Sequence, residues 1–479
     1  MNLFDHDLKS HGRIRIVCVP IGKTGNSMFQ RYLTSLRNSS RIPLQTLTSR
    51  SSSVAETPFP NKSWEQGSAR LHFIEAGSML PNSPFLDLQP HRKVFALVAI
   101  CHCPSTTNIV ETLQLMENRM SQAAARKGTT VWRCFAFDIS DKQLEQLQSV
   151  PAATLKQVVP IVPNRRLDNG HSLLTIQLQN ALNNLCGELF ESLQKSVSQA
   201  LAGTLNPPPR LQTAEDAKVR EKIKTSKWNK RLQYRRGLWL SAHALLAASP
   251  MDALSYLKSS QSSMSTDKPR DSMWLGAVHE AMAASIYIKA LDTAISFVDD
   301  VDEFPGIMPG NGYVHDVRIP LIDEVVEHCE RAIECYHTAG KSMVEMKISA
   351  TLTLARYYAQ SDPPHVVNAA RALNQLFSGH HKHMEQSIHN LTDDAIAALS
   401  LQAATIYESI GMRRKFAFHL HRAAISYVST GNYPVAYSLA QLLGQAYGAS
   451  AVLPNMGSLG DKDESERGSN TTASNNNKC

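Results

Sequence analysis

The sequence predicts an α/β domain at the N-terminus followed by an all-α array of helical hairpins. Three observations carry that expectation. Up to residue 205, short apolar runs alternate with stretches of helical length. At Asn206-Pro207-Pro208-Pro209, consecutive prolines stop the preceding helix and stiffen the chain. Beyond them the strand-like runs cease and helical periodicity takes over.

The strand-like runs are Ile14–Val19, Leu71–Ile74, Val94–Ile100, Val131–Phe137 and Val158–Val162. Val94–Ile100 is apolar on both faces, as a central strand covered on each side must be. Helices are expected at Ser27–Arg37, Asn108–Lys127, Lys142–Gln148 and Leu173–Ala202, the first with Ser27 or Asn26 as its N-cap. The Ser-, Thr- and Pro-rich stretch 38–68 reads as a loop insertion. These elements place the α/β domain at 1–205.

A linker with a basic segment occupies 206–226, and a helical array 227–450. Its helices are expected at Lys227–Ala248, Pro250–Ser259, Trp274–Val298, Asp323–Ala339, Ser342–Gln360, Val366–Phe377, Ala395–Ile410, Arg413–Thr430 and Pro434–Tyr447. Two of them share a pattern of paired alanines, an aromatic, and a glycine four residues on: Ala403-Ala404, Tyr407, Gly411, and Ala423-Ala424, Tyr427, Gly431. Tyr336 with Gly340 repeats it loosely. Alanines let helices approach closely, the aromatic fills the space beside them, and the glycine closes the helix in a left-handed conformation. The pattern resembles TPR-like hairpins without sustaining their period of about 34 residues. Residues 457–479 are almost devoid of apolar side chains, and 451–479 read as a disordered tail.

Hydrophobic residues make up 43% of the 479 and charged residues 19%, which excludes a disordered chain. The net charge of +7 is modest and does not point to nucleic acid. The densest basic stretch, Lys218–Arg236, reads as a solvated helix face at a domain junction, with a patch for anionic lipid or an acidic partner as the alternative. Eight scattered cysteines without a CxxC suit a reducing compartment. The polar start and the lack of an eighteen-residue apolar run give neither signal peptide nor transmembrane span.

No active site assembles from sequence, so no catalytic, cofactor or metal residue is assigned. The sequence Gly22-Lys23-Thr24 follows a strand and precedes a helix, as a phosphate loop does, but Val17 stands where its first glycine belongs and Pro20 removes an amide. Cys101-His102-Cys103 has no second ligand pair at zinc-site spacing, and His380-His381-Lys382-His383 reads as a solvated turn open to adventitious metal. The acidic residues Asp299, Asp300, Asp302 and Glu303 read as a solvated loop.

Several segments in order carry a family resemblance. Gln89-Pro90-His91-Arg92-Lys93 leads into VFALVAI; residues 271–288 bear Trp274, Leu275, Gly276 and Glu280; residues 230–257 form a basic helix followed by a short one. RIRIVCVPIG opens the series, and VWRCFAFD follows the first of these segments. Together they resemble the NIK- and IKK-beta-binding protein family, also called trafficking protein particle complex subunit 9, the large subunit specific to the TRAPP II tether. The resemblance covers roughly residues 13–300. Family members are much longer and continue into β-sandwich domains, so the resemblance implies a match to the front of such a subunit, in a truncated gene model, an isoform or a divergent short form. The resemblance implies a non-catalytic scaffold in Golgi and endosomal vesicle tethering, cytoplasmic and peripheral at those membranes. The implied partners are a small sedlin-type adaptor subunit, the other large TRAPP II subunit and, indirectly, a Rab-family GTPase. His91, Arg92, Lys93, Trp274, Leu275, Gly276 and Glu280 are its motif residues here, and Gly276 is expected to permit close helix packing.

Overall fold

The computed structural model describes residues 6–22, 24–50, 58–62, 67–76, 84–103, 108–127, 129, 131–151, 155–163, 172–202, 226–262, 264, 269–301, 317–377 and 391–447. Lys23, the prolines at 207–209, the basic residues up to Lys224, Asp302, Glu303, the 380–383 histidines and the tail lie outside them. The chain forms two compact units, Met1–Asn390 and Leu391–Cys479.

The first unit is built on a six-stranded sheet. Its strands are β1 (Arg13–Ile21), β2 (Arg41–Pro43), β3 (Ser68–Glu75), β4 (Val94–His102), β5 (Val131–Phe137) and β6 (Val158–Ile161), in spatial order β2-β3-β1-β4-β5-β6. Only the β2–β3 pairing is antiparallel. All five expected strands are present. The correction is β2, a three-residue edge strand inside the stretch expected to be only a loop.

The connections α1 (Asn26–Asn38), α2 (Ile109–Lys127), α3 (Asp141–Gln148) and α4 (Leu173–Leu201) cover both faces. Alternation along β5 sorts them. Cys134 and Ala136 join the α2 core of Ile109, Leu113 and Met116. On the other face Phe137 stacks on Tyr32 of α1 at 4.1 Å, and Arg133 pairs with Glu188 of α4. This two-sided cover explains the unbroken apolar run of β4. The N-cap of α1 is Gly25, with no side-chain cap, rather than Ser27 or Asn26.

The helices that follow are α5 (Ser226–Leu246), α6 (Pro250–Ser262), α7 (Pro269–Val301), α8 (Asp323–Ala339), α9 (Val344–Gln360) and α10 (Val366–Phe377). The expected boundary at the prolines divides the chain by type of secondary structure, and packing runs across it. Arg70 of β3 pairs with Asp292 of α7, and Asn61 Nδ2 donates to Asp252 of α6 at 2.7 Å. No helix among the described residues is long and apolar enough to cross a membrane.

The second unit holds α11 (Asp393–Ser409), α12 (Arg413–Ser429) and α13 (Tyr433–Ala446) around Ala404, Leu420, Ala423 and Leu439. Gly411 and Gly431 both adopt φ of 76°. In each case the glycine N–H bonds the carbonyl three residues back (Glu408, 2.9 Å; Val428, 3.1 Å). The next N–H reaches the aromatic's carbonyl (Tyr407 and Tyr427, 2.8 Å each), a Schellman closure. The aromatic-to-glycine spacing read in the sequence is therefore a helix stop. Gly340 (φ 94°) ends α8 differently, as the C-cap itself.

Buried histidines give the fold an acid sensitivity. His243 of α5 donates from Nδ1 to the Trp239 carbonyl at 2.9 Å, and burial holds its imidazole down to about 4. Burial does the same for His419 of α12. Between pH 6.5 and 4 the unfolded chain takes up a proton that the folded chain refuses, so stability present above 6.5 falls as pH falls through that window. By pH 5 the loss is about 2 kcal/mol per histidine. Urea unfolding at pH 7 and pH 5 checks this, and His243→Gln should flatten part of the profile; equal midpoints at the two pH values would contradict it.

Candidate functional site: a buried polar junction

Strands β1 and β4 are parallel neighbours, with Arg15 opposite Val94. The segments leading into them therefore meet at the N-terminal edge of the sheet. Both are short 3-10 turns, Leu8–Gly12 and Pro90–Arg92. The first is capped by Asp7, whose carboxylate accepts from Ser10 N at 2.7 Å; the second starts on Pro90, whose fixed φ suits that position. They deliver His6, His11, Gln89, His91 and Arg92 against α7, and all five are buried.

Glu280 of α7 is the hub. It is 2% exposed. Tyr336 of α8 donates its hydroxyl to Oε2 at 2.9 Å, and Gln89 Nε2 donates to Oε1 at 3.2 Å. His6 Nδ1 lies 3.4 Å from Oε1, within ion-pair range but misaligned for a hydrogen bond. Burial pushes the Glu280 carboxyl up, while the Tyr336 hydroxyl, Arg92 and Gln89 pull it back down.

The three imidazoles lie on each other. His6 Nε2 is 2.9 Å from His91 Nε2, and the His11 and His91 rings stack at 3.9 Å. Burial is the first cause that lowers all three, and Arg92 and Arg15 add to it. The rings are neutral at pH 7. His11 Nε2 is buried with no hydrogen-bond partner among the described residues; such an orphan costs about 1–3 kcal/mol.

Of the motif residues, His91, Arg92 and Glu280 are members of this junction, and all but Lys93 are buried. Trp274 lies under the Arg235 guanidinium, 4.5 Å from its ring centre, and Leu275 is buried beside it in sequence. A Cβ on Gly276 would stand 2.8 Å from Cε1 of Tyr336, so the glycine is what lets Tyr336 reach Glu280. Lys93 is half-buried at the edge. Sequence reasoning missed His6, His11 and Tyr336 as members. His6 and His11 are about eighty residues from His91 and become neighbours only through strand pairing. Sequence alone assigns no metal ligand, yet the fold brings three histidines together.

The opposite edge of the sheet carries a second cluster. The strand order turns outward on either side between β1 and β4, where α/β sheets place ligands. Tyr32 donates its single hydroxyl proton to Asp138 Oδ2 at 2.6 Å, so His102 Nδ1, also 2.6 Å away, is the protonated nitrogen. Asp138 adopts φ of 58° at the end of β5. Thr24 Oγ1 donates to the Ile21 carbonyl at 2.7 Å and accepts from His102 N at 3.0 Å. Its hydroxyl thus closes the turn that Gly22 (φ 71°) makes. Cys101 and Cys103 share a strand face with their thiols 3.2 Å apart, and His102 points away from them.

Residues 9–214 match the family described as Trs120/TRAPPC9, N-terminal domain. A trafficking protein particle complex II-specific subunit 120 homolog of Arabidopsis thaliana is 25% identical over 446 residues, 92% of this chain and 33% of the relative. Its counterpart from Oryza sativa subsp. japonica is 24% identical over 439 residues, 91% and 33%. The likeness therefore runs on through the later helices, past residue 300 where the sequence motifs fade. The chain spans about a third of the length of both relatives.

Proposed function

We propose that the protein, whose residues 9–214 match the family described as Trs120/TRAPPC9, N-terminal domain, is a non-catalytic scaffold subunit of a TRAPP II-like vesicle-tethering complex. The likeness to TRAPP II-specific subunits over nine-tenths of the chain carries this reading. The geometry is consistent with it: Thr24, Tyr32 and Glu280 spend their polar groups on neighbours within the fold. The partners are a small sedlin-type adaptor subunit, the second large TRAPP II subunit and, through the assembled complex, a Rab-family GTPase whose nucleotide exchange the complex supports. The chain works in the cytoplasm, peripherally at Golgi and endosomal membranes. In this reading the α/β domain (1–205), the linker (206–226) and a TPR-like solenoid (227–450) offer surfaces for assembly, with 451–479 as a tail.

One observation favours a second reading, a helical-repeat adaptor for unrelated proteins. The second unit exposes Phe418, Ile425, Tyr433, Tyr437 and Tyr447, apolar surface of the kind that marks protein contacts. Affinity capture of the tagged full chain under gentle lysis separates the two. The scaffold reading expects small TRAPP core subunits in the eluate; a partner set without trafficking proteins would establish the adaptor instead. A third reading, nucleotide binding at Gly22-Lys23-Thr24, is tested by calorimetry with Mg-ATP and Mg-GTP. No heat is expected, and micromolar binding lost in Lys23→Ala would contradict the scaffold reading.

A further inference from the structure

We propose that His6, His11 and His91 bind one divalent transition-metal ion of the imidazole-preferring kind, zinc foremost, as a structural clamp. One nitrogen of each ring can be chosen so that all lie within 4.8 Å of one another, and all three rings are buried. Zinc bonds imidazole nitrogen at about 2.0–2.1 Å in tetrahedral geometry, which sets ligand nitrogens roughly 3.3 Å apart. The His6–His91 nitrogens stand at 2.9 Å, so modest ring movements close the set.

Two further observations point to a ligand. His11 Nε2 is buried and has no hydrogen-bond partner among the described residues. A carboxylate stands beside the other nitrogen of a candidate ligand: Glu280 Oε1 is 3.4 Å from His6 Nδ1 while His6 Nε2 faces the cluster. A carboxylate behind a metal-bound histidine fixes its tautomer and raises its basicity once it accepts the ring N–H, which here takes a small turn of the His6 ring toward Glu280. The fields of Arg15 and Arg92 oppose a cation here, and the ionised Glu280 carboxylate, disfavoured by burial and favoured by Tyr336, Arg92 and Gln89, would answer them. With three imidazoles and no thiolate in the set, the donor chemistry fits zinc, copper or nickel rather than calcium or magnesium. The ion would tie the chain's first turn to the segment ahead of β4.

The test uses the full chain carrying no polyhistidine tag. Zinc is measured by elemental analysis after purification without chelator, and Co2+ is titrated into the metal-free protein. About one equivalent of zinc and the visible absorption of four-coordinate Co2+ are expected. Both should survive replacement of His380, His381 and His383 by Gln and disappear in His11→Gln, with circular dichroism confirming that this variant is folded. Should His11→Gln fail to fold, the cobalt absorption of the unsubstituted protein decides alone. Zinc that follows the 380–383 histidines, or a titration without that absorption, overturns the site.

Discussion

Replacing Glu280 with Ala should lower the stability of the first unit by about 3–5 kcal/mol. The substitution strands two buried donors, the Tyr336 hydroxyl and the Gln89 amide. It also removes the carboxylate whose charge answers buried Arg92. Each stranded donor costs about 1–3 kcal/mol, and the lost attraction between the carboxylate and Arg92 adds to that. Glu280→Gln keeps an acceptor oxygen and the side-chain volume, so its cost should be less than half as large. All five tryptophans precede residue 390, so fluorescence in a urea titration reports this unit alone. Equal midpoints for Glu280→Ala and the unsubstituted protein would mean that the junction is not what joins sheet to helices.

Gly276→Leu should cost about 3 kcal/mol. The first added carbon already meets Tyr336 Cε1 at 2.8 Å and Cδ1 at 2.9 Å, and a leucine adds three more. Tyr336 cannot retreat without giving up Glu280. For Gly276→Ala two effects oppose: helix propensity gains about 1 kcal/mol, but the added carbon stands 2.8 Å from the fully buried Tyr336 ring, which must move off the position that bonds Glu280. The alanine variant should therefore lie below the unsubstituted protein, with the leucine variant lower still. Adding Tyr336→Ala to Gly276→Leu should recover part of the loss, because the two residues share one contact. A leucine variant as stable as the parent would show that α7 and α8 are not pressed together there.

What the sequence made legible is local. Schellman closure depends on residues four apart, so Tyr407-Gly411 and Tyr427-Gly431 announce their helix ends without any structure. The parallel strands announce themselves because burial on both faces leaves no polar alternation, as in Val94–Ile100. Edge strand β2 has three residues and a serine-rich setting, so it carries no such pattern. The junction was half legible. Glu280, His91 and Gly276 were marked by the motifs, but nothing local shows that His6 and His11 join them. Their proximity follows from β1 lying beside β4, a contact across some eighty residues. The same holds for Arg70 with Asp292 and Asn61 with Asp252, which carry packing past the prolines that divide the chain by composition.

The central claim is that the sheet and the helices up to residue 390 behave as one cooperative body held at this junction. Hydrogen exchange of the full chain, read peptide by peptide, tests it most directly. Glu280→Ala should accelerate exchange together in β1, β4, α7 and α8 and leave residues 393–446 unchanged. Faster exchange confined to α7 and α8, with β1 and β4 as protected as before, would contradict the claim.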